Sequence, residues 1–260
     1  MKPKEIYEVI DSAYPKRLSD EYISFYGGHD NSGLLIDLGD EVTGVLFSLD
    51  LSLSAIEEAK SKNCNLIVTH HPAIFYPVSR LSIEEPVSAR LIRCIRSGIS
   101  VISMHLNLDC AARGVDYYLS EAIKGRGEEN PNEKVEDGGY GRIYEISETT
   151  AKELCDSLKK VLRSDRVVLY GNNCKVGKVA SFCGAGVDGG AIAAAKANGA
   201  QMIVSSDVKH NFICDILESG MGLITVTHYA GENYGFEKIY RQLEGKLGIR
   251  AIFHEDADLL

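Results

Sequence analysis

The chain holds 260 residues, of which 45% are hydrophobic and 25% charged, and its formal net charge is −9. That acidity, with no basic cluster along the sequence, argues against binding through nucleic-acid phosphates; no apolar run approaches the roughly 20 residues needed to span a bilayer. The length suits one large domain or two modest ones, each able to bury its own core.

The start, "MKPKEIYEVIDSAYP", lacks the apolar region and cleavage site of a secretory signal. Seven cysteines without a CxxC pair do not make a disulfide framework, so buried reduced thiols in a cytoplasmic protein are expected. "KEIYEVIDSAYP" has the spacing of an amphipathic helix and leads into the turn-rich "YGGHDNSGLLIDLGDE". A β-rich run, "VTGVLFSLDLS", then a helix, "SAIEEAKSKN", and a strand, "CNLIVTHH", follow. Beyond a proline- and serine-rich loop, "PVSARLIRCIRSG" reads as helix and "ISVISMH" as strand. This alternation predicts an α/β layer with a largely parallel sheet. Between residues 124 and 142 apolar residues give way to glycine, proline and charge, which marks a boundary or long surface loop. Domains of 1–124 and 125–260 are the expected division.

The second half repeats the plan. "AIEEAKSKNCNLIVTHH" from Ala55 aligns without gaps on "AIAAAKANGAQMIVSSD" from Ala191, with six of 17 positions identical. "ISVISMHLNLD" likewise aligns on "GLITVTHYAGE", each ending in His-x-x-x-acid. The expected fold is therefore α/β, as two similar, pseudo-repeated domains with mixed, largely parallel sheets, and a site in the cleft between them.

Three expected strand ends carry metal-ligand chemistry: His70 with His71, His105 with Asp109, and His228 with Glu232. Ligand sites of open α/β sheets lie outside the carboxyl ends of strands. Neighbouring side chains on an extended backbone diverge, so His70 and His71 suit one ion each, with a carboxylate bridging. Two-metal hydrolytic sites separate their ions by about 3.5–4 Å, which fits that divergence. Imidazole with carboxylate accepts zinc, iron, nickel or manganese. His105 is a candidate for proton transfer, since the unperturbed imidazole pKa of about 6.5 suits that work at neutral pH.

Together "HDNSGLLID", "LIVTHHPAIF", "SMHLNLDCAARGVD" and "THYAGE" resemble the signature stretches of the Nif-three-like dinuclear metal-centre family, many of whose members are type-two GTP cyclohydrolase homologues. The resemblance runs from about Asp30 to Glu232, and the length is that of the family's short form. It implies two divalent ions per chain on His70, His71, Asp109, His228 and Glu232, with Glu232 as the bridge. His105 then matches a family histidine near the site that faces substrate or supports a ligand rather than binding metal itself. It also implies a ring-shaped homohexamer and a purine nucleotide such as GTP as substrate. Thr227 stands where the family usually has glycine, and "SSDVKHN" where many members have "TGDVKYH", so His210 inherits no role. Asp30 and Asn31 match the family's DNxG stretch, and the residues alone suggest only a tight turn there.

"CGAGVDGG" places Gly184, Gly186 and Gly189 in a G-x-G-x-x-G pattern, with Asp207 further on, in the manner of a dinucleotide fingerprint. Close helix–strand packing is the preferred reading of these glycines. Three functions remain to be separated. The first is a metal-dependent hydrolase of a nucleotide-like small molecule, and the second a non-enzymatic metal-binding, regulatory or scaffold protein. The third is an NAD-linked oxidoreductase.

Overall fold

A computed structural model of the chain describes residues 1–124 and 126–260, with the backbone alone for 126–130. In chain order the elements begin with α1 (Pro3–Ala13), α2 (Arg17–Tyr26), β1 (Gly33–Ile36), β2 (Val45–Ser48), α3 (Leu53–Ser61), β3 (Leu66–Thr69), α4 (Pro86–Arg96) and β4 (Ser100–Ser103). Then come α5 (Leu106–Cys110), α6 (Val115–Ile123), β5 (Arg126–Val135), β6 (Gly138–Thr150), α7 (Ala151–Val161), β7 (Val168–Tyr170) and β8 (Lys175–Ser181). The chain ends with α8 (Gly189–Ala197), β9 (Met202–Ser205), α9 (His210–Glu218), β10 (Gly222–Thr225), α10 (His228–Leu243) and β11 (Ala251–Phe253). No helix among the described residues is long and apolar enough to cross a membrane.

The molecule forms two compact units. One comprises Met1–Leu108 and Phe236–Asp256, the other Asp109–Gly235 and Ala257–Leu260. A boundary read from composition at residue 124 cannot anticipate this return of the chain. The reason is β11, which adds to the first unit's sheet beside β2, far from it in sequence.

The first unit carries a five-stranded sheet ordered β1-β4-β3-β2-β11. All its pairings are parallel except β1 with β4. Strands β2, β3 and β4 are buried along their whole length, as parallel strands covered on both faces require. On one face Leu46, Ile67 and Val101 pack with Ala55, Ile56 and Ala59 of α3 and Leu91 and Cys94 of α4. On the other, the Phe47 ring meets Phe236 and Tyr240 of α10 at 6.1 and 5.3 Å between centroids.

The second unit carries a six-stranded sheet ordered β5-β6-β8-β9-β10-β7. Only β8 with β9 and β9 with β10 are parallel, so this sheet is mixed rather than largely parallel. Its core joins Ala180, Ile203 and Leu223 to Ala191, Ile192 and Ala195 of α8 and Ile216 of α9.

The sequence repeat is a structural one. α3 with β3 and α8 with β9 begin and end at equivalent positions of the aligned segments. Even the caps correspond: Ser52 accepts a bond from Ala55 N at 3.1 Å and Asp188 one from Ala191 N at 2.8 Å. Two expectations are corrected. The polar stretch from 124 to 142 is largely strand, in the β5–β6 hairpin, because an antiparallel pair at a sheet edge needs no apolar run. The turn-rich segment after α2 contains β1, the antiparallel edge of the first sheet.

Candidate metal centre

In the first unit, β3 stops at Thr69, and the backbone amides of His70 and His71 both donate to the Leu49 carbonyl, at 3.1 and 3.0 Å. The chain therefore leaves the extended conformation before the histidines, and the two rings do not diverge as strand neighbours would. Their centroids lie 5.0 Å apart. His105, just after β4, completes the cluster at 5.3 Å from His70 and 6.0 Å from His71. Thr69 and Ser103, at the ends of the paired strands, share a hydroxyl bond of 2.8 Å. Ser103 also accepts from Ala73 N at 3.1 Å, which secures the turn after the histidines.

Each of these rings has its Nδ1 held by an acceptor. His70 Nδ1 donates to Met104 O at 2.9 Å, His71 Nδ1 to Asp50 Oδ1 at 2.8 Å, and His105 Nδ1 to Asp30 Oδ1 at 2.8 Å. A carbonyl or ionised carboxylate can only accept, so Nδ1 carries the proton and the lone pair sits on Nε2. That is the arrangement by which metal-ligating histidines are oriented. Asp30 is buried, which works against its charge, yet bonds from His105, Ser19 and Ser32 prevail and hold its carboxyl well below the usual carboxylate range.

In the second unit, ligand atoms of Asp109, Cys183 and Glu232 lie within 4.8 Å of one another, and all three residues are buried. Asp109 sits on α5, Cys183 just after β8, and Glu232 one turn into α10. His228, at the start of α10, places Nε2 3.0 Å from Glu232 Oε2 and Nδ1 2.7 Å from Asp207 Oδ2. This fourth imidazole is thus oriented through Nδ1 as well. The Cys183 thiol donates to Asp109 Oδ1 at 3.3 Å, and the Cys183 amide to Asp116 Oδ1 at 3.0 Å. Burial, then the charges of Asp109, Asp116 and Glu232, push the thiol well above its ordinary range. Buried Arg142 pairs with Asp116 at 3.2 Å. The carboxylates of Asp109 and Glu232 and the His228 imidazole are donors suited to a divalent cation.

The glycine-rich turn belongs to this carboxylate cluster. Gly184 has φ +57°, and a Cβ there would stand 2.6 Å from Glu232 Oε1; one at Gly186 would overlap the Tyr140 hydroxyl. These glycines make room for neighbouring side chains. The acid of the apparent dinucleotide fingerprint, Asp207, is engaged by His228.

Within the first unit the structure gathers His70, His71 and His105, and within the second Asp109, His228 and Glu232. Sequence reasoning did not find Asp50, Asp207 in its histidine-holding role, or Cys183 as a neighbour of the carboxylates. Asp50 follows β2 and Asp207 follows β9, so acids shortly beyond strand ends were the available signal.

The family profile of Duf34/NIF3 (NGG1p interacting factor 3) matches residues 1–258. A Clostridium acetobutylicum protein named GTP cyclohydrolase 1 type 2 homolog is 28% identical over 255 residues, covering 95% of this chain and 91% of its own. The NGG1-interacting factor 3 of Saccharomyces cerevisiae is 32% identical over 203 residues, 68% of either chain. The crystal structure of a Staphylococcus aureus hypothetical protein superposes with a TM-score of 0.85 at 25% identity, covering 98% of this chain and 96% of that one.

Proposed function

Because the chain belongs to the Duf34/NIF3 family, we propose that it is a dinuclear divalent-metal protein that hydrolyses a nucleotide-like small molecule. His70, His71, Asp109, His228 and Glu232 would hold the two ions, Glu232 as their common ligand. The observation that carries this reading is the common orientation of the imidazoles, each held through Nδ1, which in His70 and His71 puts the lone pair on Nε2 and in His228 turns Nε2 toward the Glu232 carboxylate. Zinc, iron, nickel and manganese all suit such mixed nitrogen and oxygen donors. Bound there, the ions supply Lewis acidity and activate water at neutral pH.

The residues of the chain do the rest. Asp50 and Asp207 fix the rotation of His71 and His228 and raise the basicity of the nitrogen opposite. His105, oriented by Asp30 and 21% exposed, moves a proton to or from the reacting group through Nε2. The name of the Clostridium relative supports a nucleotide such as GTP as the first substrate to try.

The test is element-resolved metal analysis of protein purified without chelators, followed by turnover assays on GTP and a panel of nucleotides and phosphoesters. About two ions per chain and turnover abolished by His71→Ala are expected. Protein that binds no divalent ion would sink the metal reading. Loaded protein inert on the whole panel would favour a second reading, a metal-binding regulatory or scaffold protein. That alternative draws support from the yeast relative, which is named for an interaction.

A further inference from the structure

The motif around Asp30 and Asn31 lies outside the proposed ligand set, yet its side chains converge on the imidazole cluster. The Asp30 side chain is 1% exposed, and its two oxygens divide the work. Oδ1 accepts from His105 Nδ1 at 2.8 Å. Oδ2 accepts from Ser19 Oγ at 2.5 Å, Ser32 Oγ at 2.7 Å and the Ser32 amide at 3.3 Å. Ser32 Oγ in turn accepts from the His105 amide at 2.9 Å, so main chain and ring of His105 are anchored to one short segment. Asn31 Nδ2 donates to Ile74 O at 2.6 Å, and the His29 ring bonds Phe75 O at 2.7 Å. The Phe75 ring stands edge-on to His105, with centroids 6.0 Å apart at 89°.

We propose that Asp30 is a positioning residue that holds His105 as its Nδ1–H tautomer, making Nε2 the ring atom that accepts a proton at the imidazole cluster. The tautomer assignment stands on the hydrogen bonds alone, whereas the proton transfer rests on the hydrolytic reading above. The geometry leaves little freedom. The Ser32 amide can only donate, so the side of residue 30 that faces it must present an oxygen. A carboxylate satisfies that side and His105 together. An asparagine cannot do both in the same way: with its carbonyl turned to the Ser32 amide, its NH₂ faces His105 Nδ1. That nitrogen must then become an acceptor, and the ring proton moves to Nε2. The wrong tautomer would leave the imidazole in place with a donor where the acceptor is needed.

The experiment is ¹⁵N NMR of the histidine side chains in the full-length wild type, Asp30→Asn and Ser32→Ala, at a pH of about 8 where a free imidazole is neutral. His105 is expected as Nδ1–H in the wild type and in Ser32→Ala, and as Nε2–H in Asp30→Asn. Metal bound per chain should be unchanged in Asp30→Asn, while turnover falls by about 10²- to 10⁴-fold, the range of a lost general base. A wild-type His105 protonated on Nε2 overturns the proposal even if Asp30→Asn does not fold. So does an Asp30→Asn protein that melts lower but keeps the Nδ1–H form, which would make Asp30 a brace only. The expected tautomers with no turnover on any substrate uphold the assignment and count against the hydrolytic reading alone.

Discussion

Asp50 and Asp207 hold His71 and His228 through bonds of 2.8 and 2.7 Å, and neither acid belongs to the proposed ligand set. Replacing either by asparagine keeps the volume but removes the charge that makes the opposite ring nitrogen a better donor. Metal affinity should fall about 10- to 100-fold, the usual cost of losing such a partner, as read by competition with a chromophoric chelator; unchanged affinity would exclude the role. Asp30 supports a different measurement. Its folded pKa lies below the unfolded value of about 4. The stabilisation it gives is therefore complete above that value and lost as pH falls through the folded one. The stability gap between wild type and Asp30→Asn in denaturant titrations should be full at neutral pH and shrink below a pH of about 4; a gap constant into acid would contradict the assignment. The histidines themselves were legible in sequence because each follows a strand. Their acids were not, because Asp50 precedes His71 by a whole helix–strand unit, and only the fold brings them together.

At the scale of elements, the turn from β8 into α8 shows why a glycine pattern can mislead. Gly184 combines a left-handed φ of +57° with a neighbour, Glu232 Oε1, that a Cβ would meet at 2.6 Å. Gly199, after α8, has φ +73° and nothing within 4 Å of its missing Cβ. Gly199→Ala should thus cost only the backbone strain, about 1 kcal/mol, and leave metal binding intact. Gly184→Ala should cost more and also weaken metal binding, because the carboxylate itself must move. Calorimetric titration of both variants checks this, and equal effects would sink the argument. The helix–strand repeat was readable because parallel strands buried on both faces are continuous apolar runs, as "LIVT" and "MIVS" are. The antiparallel strands were not. β1 lies in a turn-rich stretch, β5 and β6 in a charged one, and β7 in the short segment after α7. β1 and β7 are apolar but only four and three residues long, too short to show a period, and the antiparallel β5–β6 pair needs no continuous apolar run.

For the whole chain, the proposed ligands span residues 70 to 232, so ions gripping all of them clip together segments far apart in sequence. A ligand that binds the folded chain and not the unfolded one stabilises it by mass action, about 2.7 kcal/mol when free metal is 100 times its dissociation constant. For a chain of this size each kcal/mol moves the melting temperature by about 2–4 °C. Metal-loaded protein should therefore melt about 5–10 °C above the chelator-treated form, and re-addition of the metal should restore the difference. The shift should grow with the logarithm of free metal, as linkage requires and as nonspecific screening by salt does not. His71→Ala and Glu232→Gln should each lose most of it, from opposite ends of that span. Conversely, melting that ignores both chelator and metal, or a metal shift that survives both substitutions, would show that these side chains do not grip the ions.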